Sequence, residues 1–180
     1  MGGRFIAVVG PSGVGKDSVM AGLCDARPDL VRVRRVITRT PDAGGEDYEA
    51  VSPALFAARA AGGDFALHWQ AHGLSYAIPR STHDILDRGQ DALANLSRAM
   101  LSRAAQVFGT LTVLHVTATP DVLAQRLAAR GREGRAEIAR RLARPAPDFP
   151  QDLPIVEIDN FGQLDRAVAA ALAALYPENR

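Results

Sequence analysis

The segment GPSGVGKDS at residues 10–18 constrains this chain more than any other part of its 180-residue sequence. It matches the phosphate-binding pattern G-x-x-x-x-G-K-[ST] at Gly10, Gly15 and Lys16. The last position departs from the pattern, because Asp17 stands there and the hydroxyl group comes one residue later. Either the nucleotide site is degraded, or a metal ion is held in a different way.

The residues on either side of this loop predict the strand–loop–helix context that makes the pattern specific. The apolar run 4–9 predicts a buried strand, and residues 15–26 predict a helix. Glycines turn backbone N–H groups inward, the helix N-terminus adds its positive dipole end, and the only lysine of the chain reaches the outer phosphates. The alternative is a glycine-rich turn that binds nothing, which the correctly spaced lysine disfavours. We therefore expect a nucleotide to contact Gly10, Pro11, Ser12, Gly13, Val14, Gly15, Lys16, Asp17 and Ser18.

Predicted strands alternate with predicted helices along the rest of the chain, which is typical of a parallel sheet covered on both faces. Ser52 and Pro53 predict the start of one helix, and Gly62 and Gly63 predict its end. FALHWQA has apolar side chains at every second position, and the turn HG leads into LSYAI, which predicts a hairpin. The other predicted strands are 31–38, 91–96, 110–118 and 154–159, and the other predicted helices are 98–108, 119–131 and 163–176. We expect a single α/β domain over residues 1–180.

The bulk composition gives no reason to expect a nucleic-acid or membrane protein. The chain is 47% hydrophobic and 23% charged, which is ordinary for a globular domain, and its formal net charge is only +1. The apolar run near the N-terminus is too short for a membrane span or a signal peptide. The single cysteine, Cys24, cannot form an internal disulfide, so we expect a reducing, cytoplasmic compartment.

Further segments follow the loop in a characteristic order. They are ITRTPDAGGEDY at 37–48, HGLSYAIP at 72–79, RGREGRAEIARRLAR at 130–144 and DN at 159–160. Together they resemble the guanylate-kinase-like P-loop kinases over essentially the whole chain. The resemblance implies a five-stranded parallel core sheet at 1–38 and 90–180, an acceptor lobe at about 39–89, and an arginine-rich lid at about 130–145. A non-catalytic guanylate-kinase-like interaction domain is an alternative of another class, although such modules typically lose the loop lysine.

The acceptor lobe keeps part of the family pattern for binding the acceptor phosphate. Arg39, Tyr48 and Tyr76 match residues that hold this phosphate in guanylate kinases, whereas Asp42 stands where those enzymes have a second arginine. The resemblance therefore implies that an anionic acceptor group is still bound.

The residues that read guanine are different. Where the resemblance leads us to expect a glutamate and an aspartate, this chain has Gln70 and the neutral pair Asn95 and Ser97. A site built to pair guanine N–H groups rejects other ligands sharply, so losing its carboxylates should lose guanine. A phosphorylated acceptor other than a nucleotide is the favoured expectation, with a guanylate or other nucleoside monophosphate kinase as the alternative.

Four short segments, GKDS, GGED, WQAHGLSY and NLSR, resemble the ribose 1,5-bisphosphate phosphokinase family of bacterial phosphonate breakdown more closely. One departure is Ala77, where that family usually has glycine. The resemblance implies an enzyme that uses ATP and Mg²⁺ to convert ribose 1,5-bisphosphate into 5-phosphoribosyl 1-diphosphate. It implies small molecules as partners, leaves a homodimer open, and adds His72 and Arg98 to the expected substrate contacts.

The resemblance also implies catalytic roles. Lys16 and flexible lid arginines would neutralise charge on the transferring phosphoryl group, although an arginine run can also be a solvated face. Asn160 would lie on the adenine side of ATP, or serve only as a turn residue. Asp17 would bind Mg²⁺ directly, or only stabilise the helix start. The lid arginines that best match the family are Arg130, Arg132 and Arg141.

Overall fold

The computed structural model describes residues 2–40, 46–129 and 148–177. The strands in these ranges are β1 (Phe5–Val9), β2 (Val31–Arg32), β3 (Arg35–Ile37), β4 (Tyr48–Ala50), β5 (Phe65–Ala71), β6 (Leu74–Pro79), β7 (Ala92–Asn95), β8 (Leu111–Thr117) and β9 (Ile155–Asp159). The helices are α1 (Lys16–Ala26), α2 (Pro53–Ala61), α3 (Thr82–Asp87), α4 (Leu101–Phe108), α5 (Pro120–Ala129) and α6 (Leu164–Leu175), with a 3₁₀ turn at Arg98–Met100. None of these described helices is long and apolar enough to cross a lipid bilayer.

Five strands form a parallel sheet in the order β2-β7-β1-β8-β9, which confirms the expected core. Every residue of the central strand β1 is buried, because helices cover both faces of the sheet. One face packs against α1 and α6, and the other packs against α4. The carboxyl ends of β1, β7 and β8 meet at one edge, where open α/β sheets bind their ligands.

A second sheet of four strands, in the order β4-β3-β6-β5, forms the lobe. Its inner face is the one that carries Ile37, Leu67, Trp69 and Tyr76, which belong to the same hydrophobic cluster as β1. Its outer face carries Val36, Phe56, Phe65 and Ala77 from the lobe strands and α2. The lobe therefore packs on the core through one face and is closed by a helix on the other.

The prediction of one continuous strand over residues 31–38 is wrong. Val31 and Arg32 pair with β7 of the core sheet, whereas Val36 and Ile37 pair with β6 of the lobe. The apolar pattern of this segment is continuous, but the pattern does not encode which sheet supplies the hydrogen bonds. The three-residue strand β4 and the six-residue helix α3 were not expected, because elements this short show no periodicity.

The predicted helix start and hairpin turn are both confirmed in detail. The Ser52 hydroxyl oxygen accepts a hydrogen bond from the Leu55 backbone N–H at 3.1 Å, and Pro53 is the first residue of α2. The β5–β6 turn consists of His72 (φ 52°) and Gly73 (φ 74°), both in the left-handed region that a two-residue type I′ hairpin requires.

A polar cluster holds the C-terminal helix to the opposite end of the core. The Asp91 carboxylate accepts hydrogen bonds from the Arg4 backbone N–H (2.8 Å), the Arg4 Nε (2.9 Å) and the Tyr176 hydroxyl (2.8 Å). The Arg27 guanidinium stacks 3.7 Å from the centre of the Tyr176 ring. The Asp91 carboxylate therefore joins Arg4 and Tyr176, which lie near opposite ends of the chain.

Candidate active site

The phosphate-binding loop requires glycine at two positions where other elements approach its backbone. At Gly10, φ is 154° and a Cβ would lie 2.3 Å from the Val116 carbonyl oxygen of β8. At Gly15, φ is 92° and a Cβ would lie 2.6 Å from the amide nitrogen of Asn160. Since real Cβ atoms do not approach other atoms so closely, a side chain at either position would displace the loop.

Asn160, which we expected to contact ATP, forms a side-chain hydrogen bond with the phosphate-binding loop. Asn160 is only 4% exposed, and its side-chain Nδ2 donates a hydrogen bond to the Val14 carbonyl oxygen at 2.8 Å. The Arg126 Nη1 donates to the same oxygen at 3.1 Å. The sequence alone did not indicate this role, because the contact joins residues 146 positions apart.

Lys16 is the first residue of α1 and turns back across the loop. Its Nζ donates to the carbonyl oxygens of Gly10 (2.9 Å) and Pro11 (3.1 Å). An ammonium group binds phosphate as a point charge, and this one lies at the loop whose backbone N–H groups would cradle the phosphates. The position of Lys16 therefore suits the expected contact with the outer phosphates of a nucleotide.

Asp17 lies beside Lys16 and pairs with a basic residue of β2. The Arg32 Nη2 lies 3.2 Å from the Asp17 Oδ1. Burial raises the pKa of Asp17, as does the charge of Glu46, while Arg32 and Lys16 oppose the rise. Burying the ionised Asp17 carboxylate therefore costs free energy, and a nearby cation stabilises this ionised form.

The surroundings of Asp17 fit a magnesium ion. No group of three or more His, Cys, Asp or Glu side chains in ranges 2–40, 46–129 and 148–177 is arranged to hold a metal. Mg²⁺ in kinases needs no such cage, because one or two carboxylates, substrate phosphates and waters complete its octahedron. A single half-buried carboxylate next to the lysine of the loop meets that requirement.

The structure brings the three expected phosphate-binding residues of the lobe together. The Arg39 Nη2 lies 3.5 Å from the Tyr76 hydroxyl, and the Arg39 guanidinium carbon lies 5.6 Å from the centre of the Tyr48 ring. The Tyr48 hydroxyl donates to the Thr40 carbonyl oxygen. The Arg39 guanidinium and the Tyr76 hydroxyl thus lie close enough to donate to one anionic group, whereas the Tyr48 hydroxyl would have to leave the Thr40 carbonyl to do so.

A buried ion pair next to these residues was not anticipated from the sequence. Arg35 and Glu46 form a bidentate pair, with the Arg35 Nε donating to Glu46 Oε1 at 2.6 Å, and both side chains are 8% exposed. The Arg35 guanidinium carbon lies 5.1 Å from the centre of the Tyr76 ring, which stacks on Trp69 at 5.5 Å. Because Arg35 uses both oxygens of Glu46, this carboxylate has limited capacity to accept hydrogen bonds from a ligand.

Two of the expected substrate contacts lie away from the inner face. Trp69 pairs with Tyr76 on the inner face, so the next residue along β5, Gln70, points to the outer face and is exposed. His72 is an exposed turn residue at the hairpin tip. The inner face of β5 presents Leu67 and Trp69, so Gln70 does not share the face of Tyr76, and its expected role in reading the acceptor stays a prediction.

The end of β7 brings the NLSR segment to the carboxyl edge of the core sheet. Asn95 is the last residue of β7, Ser97 follows it, and Arg98 begins the 3₁₀ turn. The Arg98 Nη2 lies 2.9 Å from the Nε2 of His115 on β8, a residue that we had not singled out from the sequence. A histidine two residues before the end of a strand carries no sequence signal by itself, because its partners come from other elements.

The remaining expected residues, Asp42 and the lid arginines Arg130, Arg132 and Arg141, lie outside the described residues. Their roles stay predictions.

Comparison with known proteins adds a family and an activity. A family model described as an AAA domain matches residues 5–144. The chain is 54% identical over 177 residues to the ribose 1,5-bisphosphate phosphokinase PhnN of Ruegeria sp. (strain TM1040), covering 98% of this chain and 93% of that protein. It is 45% identical over 177 residues to the ribose 1,5-bisphosphate phosphokinase PhnN of Brucella melitensis biotype 2 (strain ATCC 23457), covering 97% and 92% of the two chains.

Solved structures show the same fold at low sequence identity. The guanylate kinase from Anaplasma phagocytophilum superposes with a TM-score of 0.73 at 17% identity, covering 99% of this chain and 88% of that one. A gluconokinase from Sinorhizobium meliloti 1021 gives a TM-score of 0.57 at 19% identity, covering 96% and 91%. These similarities confirm the P-loop kinase fold that the sequence motifs predict.

Proposed function

This chain belongs to the AAA domain family and to the ribose 1,5-bisphosphate phosphokinases, and from that premise we propose that it transfers the γ-phosphoryl group of ATP to ribose 1,5-bisphosphate. The product is 5-phosphoribosyl 1-diphosphate, formed in phosphonate catabolism from small-molecule substrates in the cytoplasm. The observation that carries the proposal is the near-complete alignment with curated phosphokinases, which spans both the loop and the lobe.

The lobe geometry supports a phosphorylated sugar as the acceptor. In this proposal Arg39, Tyr48 and Tyr76 hold the 5-phosphate, and the Tyr48 hydroxyl exchanges the Thr40 carbonyl oxygen for a phosphate oxygen when the acceptor binds. Asn95 and Ser97 at the sheet edge face the sugar hydroxyls, which also donate and accept hydrogen bonds. Guanine N–H groups would need carboxylate acceptors, and both oxygens of Glu46 already accept from Arg35, which limits their capacity for a ligand.

Transfer in this proposal is a direct displacement. A 1-phosphate oxygen of the acceptor attacks the γ-phosphorus in line, a new P–O bond forms, the β–γ bridge bond breaks, and its electrons leave with ADP. No protein nucleophile is needed, so the chain acts by positioning and charge neutralisation. Lys16 holds the outer phosphates, Asn160 and Arg126 hold the loop that cradles them, and the lid arginines would meet charge developing during transfer.

Asp17 is the residue that we propose to hold Mg²⁺, with the substrate phosphates as the other ligands. The bound ion would neutralise charge on the phosphate oxygens. Arg32, whose Nη2 lies 3.2 Å from the Asp17 Oδ1, would hold the carboxylate in place.

A coupled ADP-release screen tests the activity. Ribose 1,5-bisphosphate, ribose 5-phosphate, GMP and AMP are compared at equal concentration, with ³¹P NMR to identify the diphosphate product. We expect turnover of ribose 1,5-bisphosphate at least a hundredfold above GMP, and Lys16→Ala as the inactive control, on the order of 10²–10³ below the wild type. Efficient use of GMP with none of the sugar bisphosphate would replace the proposal with a nucleotide kinase.

A further inference from the structure

We propose that His115 is a positioning residue, which holds the Arg98 guanidinium on the acceptor side of the site and does so only while its ring is neutral. This inference rests on the proposed function, in which Arg98 is an acceptor contact.

The hydrogen-bond pattern determines which ring nitrogen carries the proton. The Arg98 Nη2 lies 2.9 Å from the His115 Nε2, and a guanidinium can only donate, so Nε2 accepts. The proton of a neutral ring is then on Nδ1, which donates to the Glu157 Oε2 at 2.9 Å. An imidazolium has N–H groups on both nitrogens and cannot accept from Arg98.

The hydrogen bonds that link Arg98, His115 and Glu157 lie next to the phosphate-binding loop. His115 pairs across the sheet with Val9, the residue before the phosphate-binding loop. Arg98 follows the carboxyl end of β7, which is also next to β1. The Phe149 ring packs at 4.9 Å against His115 and lies 4.3 Å below the Arg98 guanidinium, so two neighbours hold this guanidinium in place.

The charges around His115 indicate how it responds to pH. Burial lowers the pKa of His115; the Arg98 charge lowers it as well, and the hydrogen bond and charge of Glu157 only partly oppose them. Asp148 faces Arg98 from the segment before β9. The ring is therefore neutral at physiological pH. As the pH falls through the lowered pKa of His115, its ring becomes a cation that can no longer accept from Arg98, and two like charges then face each other.

Two substitutions separate this role from a general effect on stability. His115→Ala should raise the KM for the acceptor about tenfold, the effect of losing one charge-assisted hydrogen bond, with the KM for ATP within about twofold. His115→Gln keeps a carbonyl that accepts and an amide that donates but cannot titrate. At pH 8 this variant should keep near-normal kinetics. As the pH falls, its kcat/KM for the acceptor should decrease less than that of the wild type.

Comparing the pH profiles of the variants corrects for titration of the substrate phosphates. The acceptor phosphates titrate near pH 6 in every variant, so the difference between wild type and His115→Gln isolates the histidine. Glu157→Gln removes an anion that raises the pKa of His115 and should move the acid limb to lower pH. His68→Gln is the matched control, since His68 is exposed on the outer face of the lobe and should leave the profile unchanged.

Identical acid limbs in wild type and His115→Gln would overturn the proposal, as would an equal rise of both KM values in His115→Ala. ¹⁵N NMR of the histidine rings at pH 8 gives a test without turnover, because a protonated Nε2 on His115 would contradict the hydrogen-bond pattern. If ribose 1,5-bisphosphate fails in the wild-type screen, the proposed function falls. The variants are then assayed with the acceptor that is used, which tests the role of His115 separately.

Discussion

The amide nitrogen of Asn160 donates to the carbonyl oxygen of Val14 at 2.8 Å, so a residue after the last core strand holds the middle of the phosphate-binding loop. Asn160 is 4% exposed, and its amide also occupies the space beside Gly15 that a side chain would need. Asn160 therefore supports the loop conformation through contacts with Val14 and Gly15.

Replacing Asn160 should weaken ATP binding through the loop. Asn160→Asp puts a carboxylate against the Val14 carbonyl oxygen, and Asn160→Ala leaves that oxygen with Arg126 as its described side-chain partner. Losing a buried hydrogen bond costs about 1–3 kcal/mol, so the KM for ATP should rise roughly tenfold to a hundredfold, more in the aspartate variant. Steady-state kinetics at saturating acceptor measures this effect. Gln163→Ala, an exposed change nearby, is the control; unchanged ATP kinetics in both Asn160 variants would show that the loop needs no such support.

Substitution of Asp17 should distinguish a metal ligand from a helix-start residue. Asp17→Asn removes the anionic ligand and should raise the Mg²⁺ concentration for half-maximal rate several-fold, while Asp17→Ser restores the usual loop pattern and should keep part of the activity. The readout is the rate as a function of Mg²⁺ at fixed ATP. An unaltered Mg²⁺ dependence together with a lower melting temperature would favour the helix-start role.

Arg39→Ala should act on the acceptor and leave ATP binding nearly unchanged. Arg39 lies beside the Tyr76 hydroxyl and the Tyr48 ring, on the lobe rather than on the loop. Losing a charge-assisted hydrogen bond to phosphate should raise the acceptor KM by about tenfold to a hundredfold. Both KM values are measured for this variant and for Arg88→Ala, an exposed arginine after α3. A rise confined to the KM for ATP would remove Arg39 from the acceptor site.

The Asp91 cluster should make folding stability depend on pH at both extremes. Burial alone would raise the pKa of Asp91, but the hydrogen bonds from Arg4 and Tyr176 outweigh it and leave the pKa lowered. Its contribution is then present above the unfolded carboxyl pKa of about 3.9 and is lost as pH falls through the folded value. Burial and Asp91 together raise the pKa of Tyr176 to about 12, so that contribution is complete below about pH 10 and lost toward pH 12.

Urea unfolding at pH 3, 7 and 11 measures these contributions. Asp91→Asn should lower the free energy of unfolding at pH 7 by about 1–3 kcal/mol, and the difference from wild type should shrink at acid pH. For Tyr176→Phe the difference from wild type should instead shrink at pH 11, between the unfolded pKa of about 10 and the folded pKa of about 12. A constant difference across the pH range would mean that ionisation of these groups is not involved.

Much of the fold follows from local sequence pattern. The strand–loop–helix of residues 5–26, the Ser52 and Pro53 helix start and the hairpin around Gly73 depend on interactions within a few residues, which side-chain period and turn chemistry express directly. The assignment of strands to two sheets did not follow from pattern, because residues 31–38 look continuous and change sheets between Arg32 and Arg35.

The candidate site divides in the same way. By itself, the sequence determined the phosphate-binding loop and its single lysine, since that motif has a chemical requirement. The resemblance to guanylate kinases indicated Arg39 and its two tyrosines. Only the tertiary structure decided that Gln70 faces outward, that Arg35 pairs with both oxygens of Glu46, that Asn160 supports the loop, and that His115 bonds Arg98. These facts depend on partners distant along the chain. Which side chain meets which is decided by strand register and packing, and neither is written in any short segment.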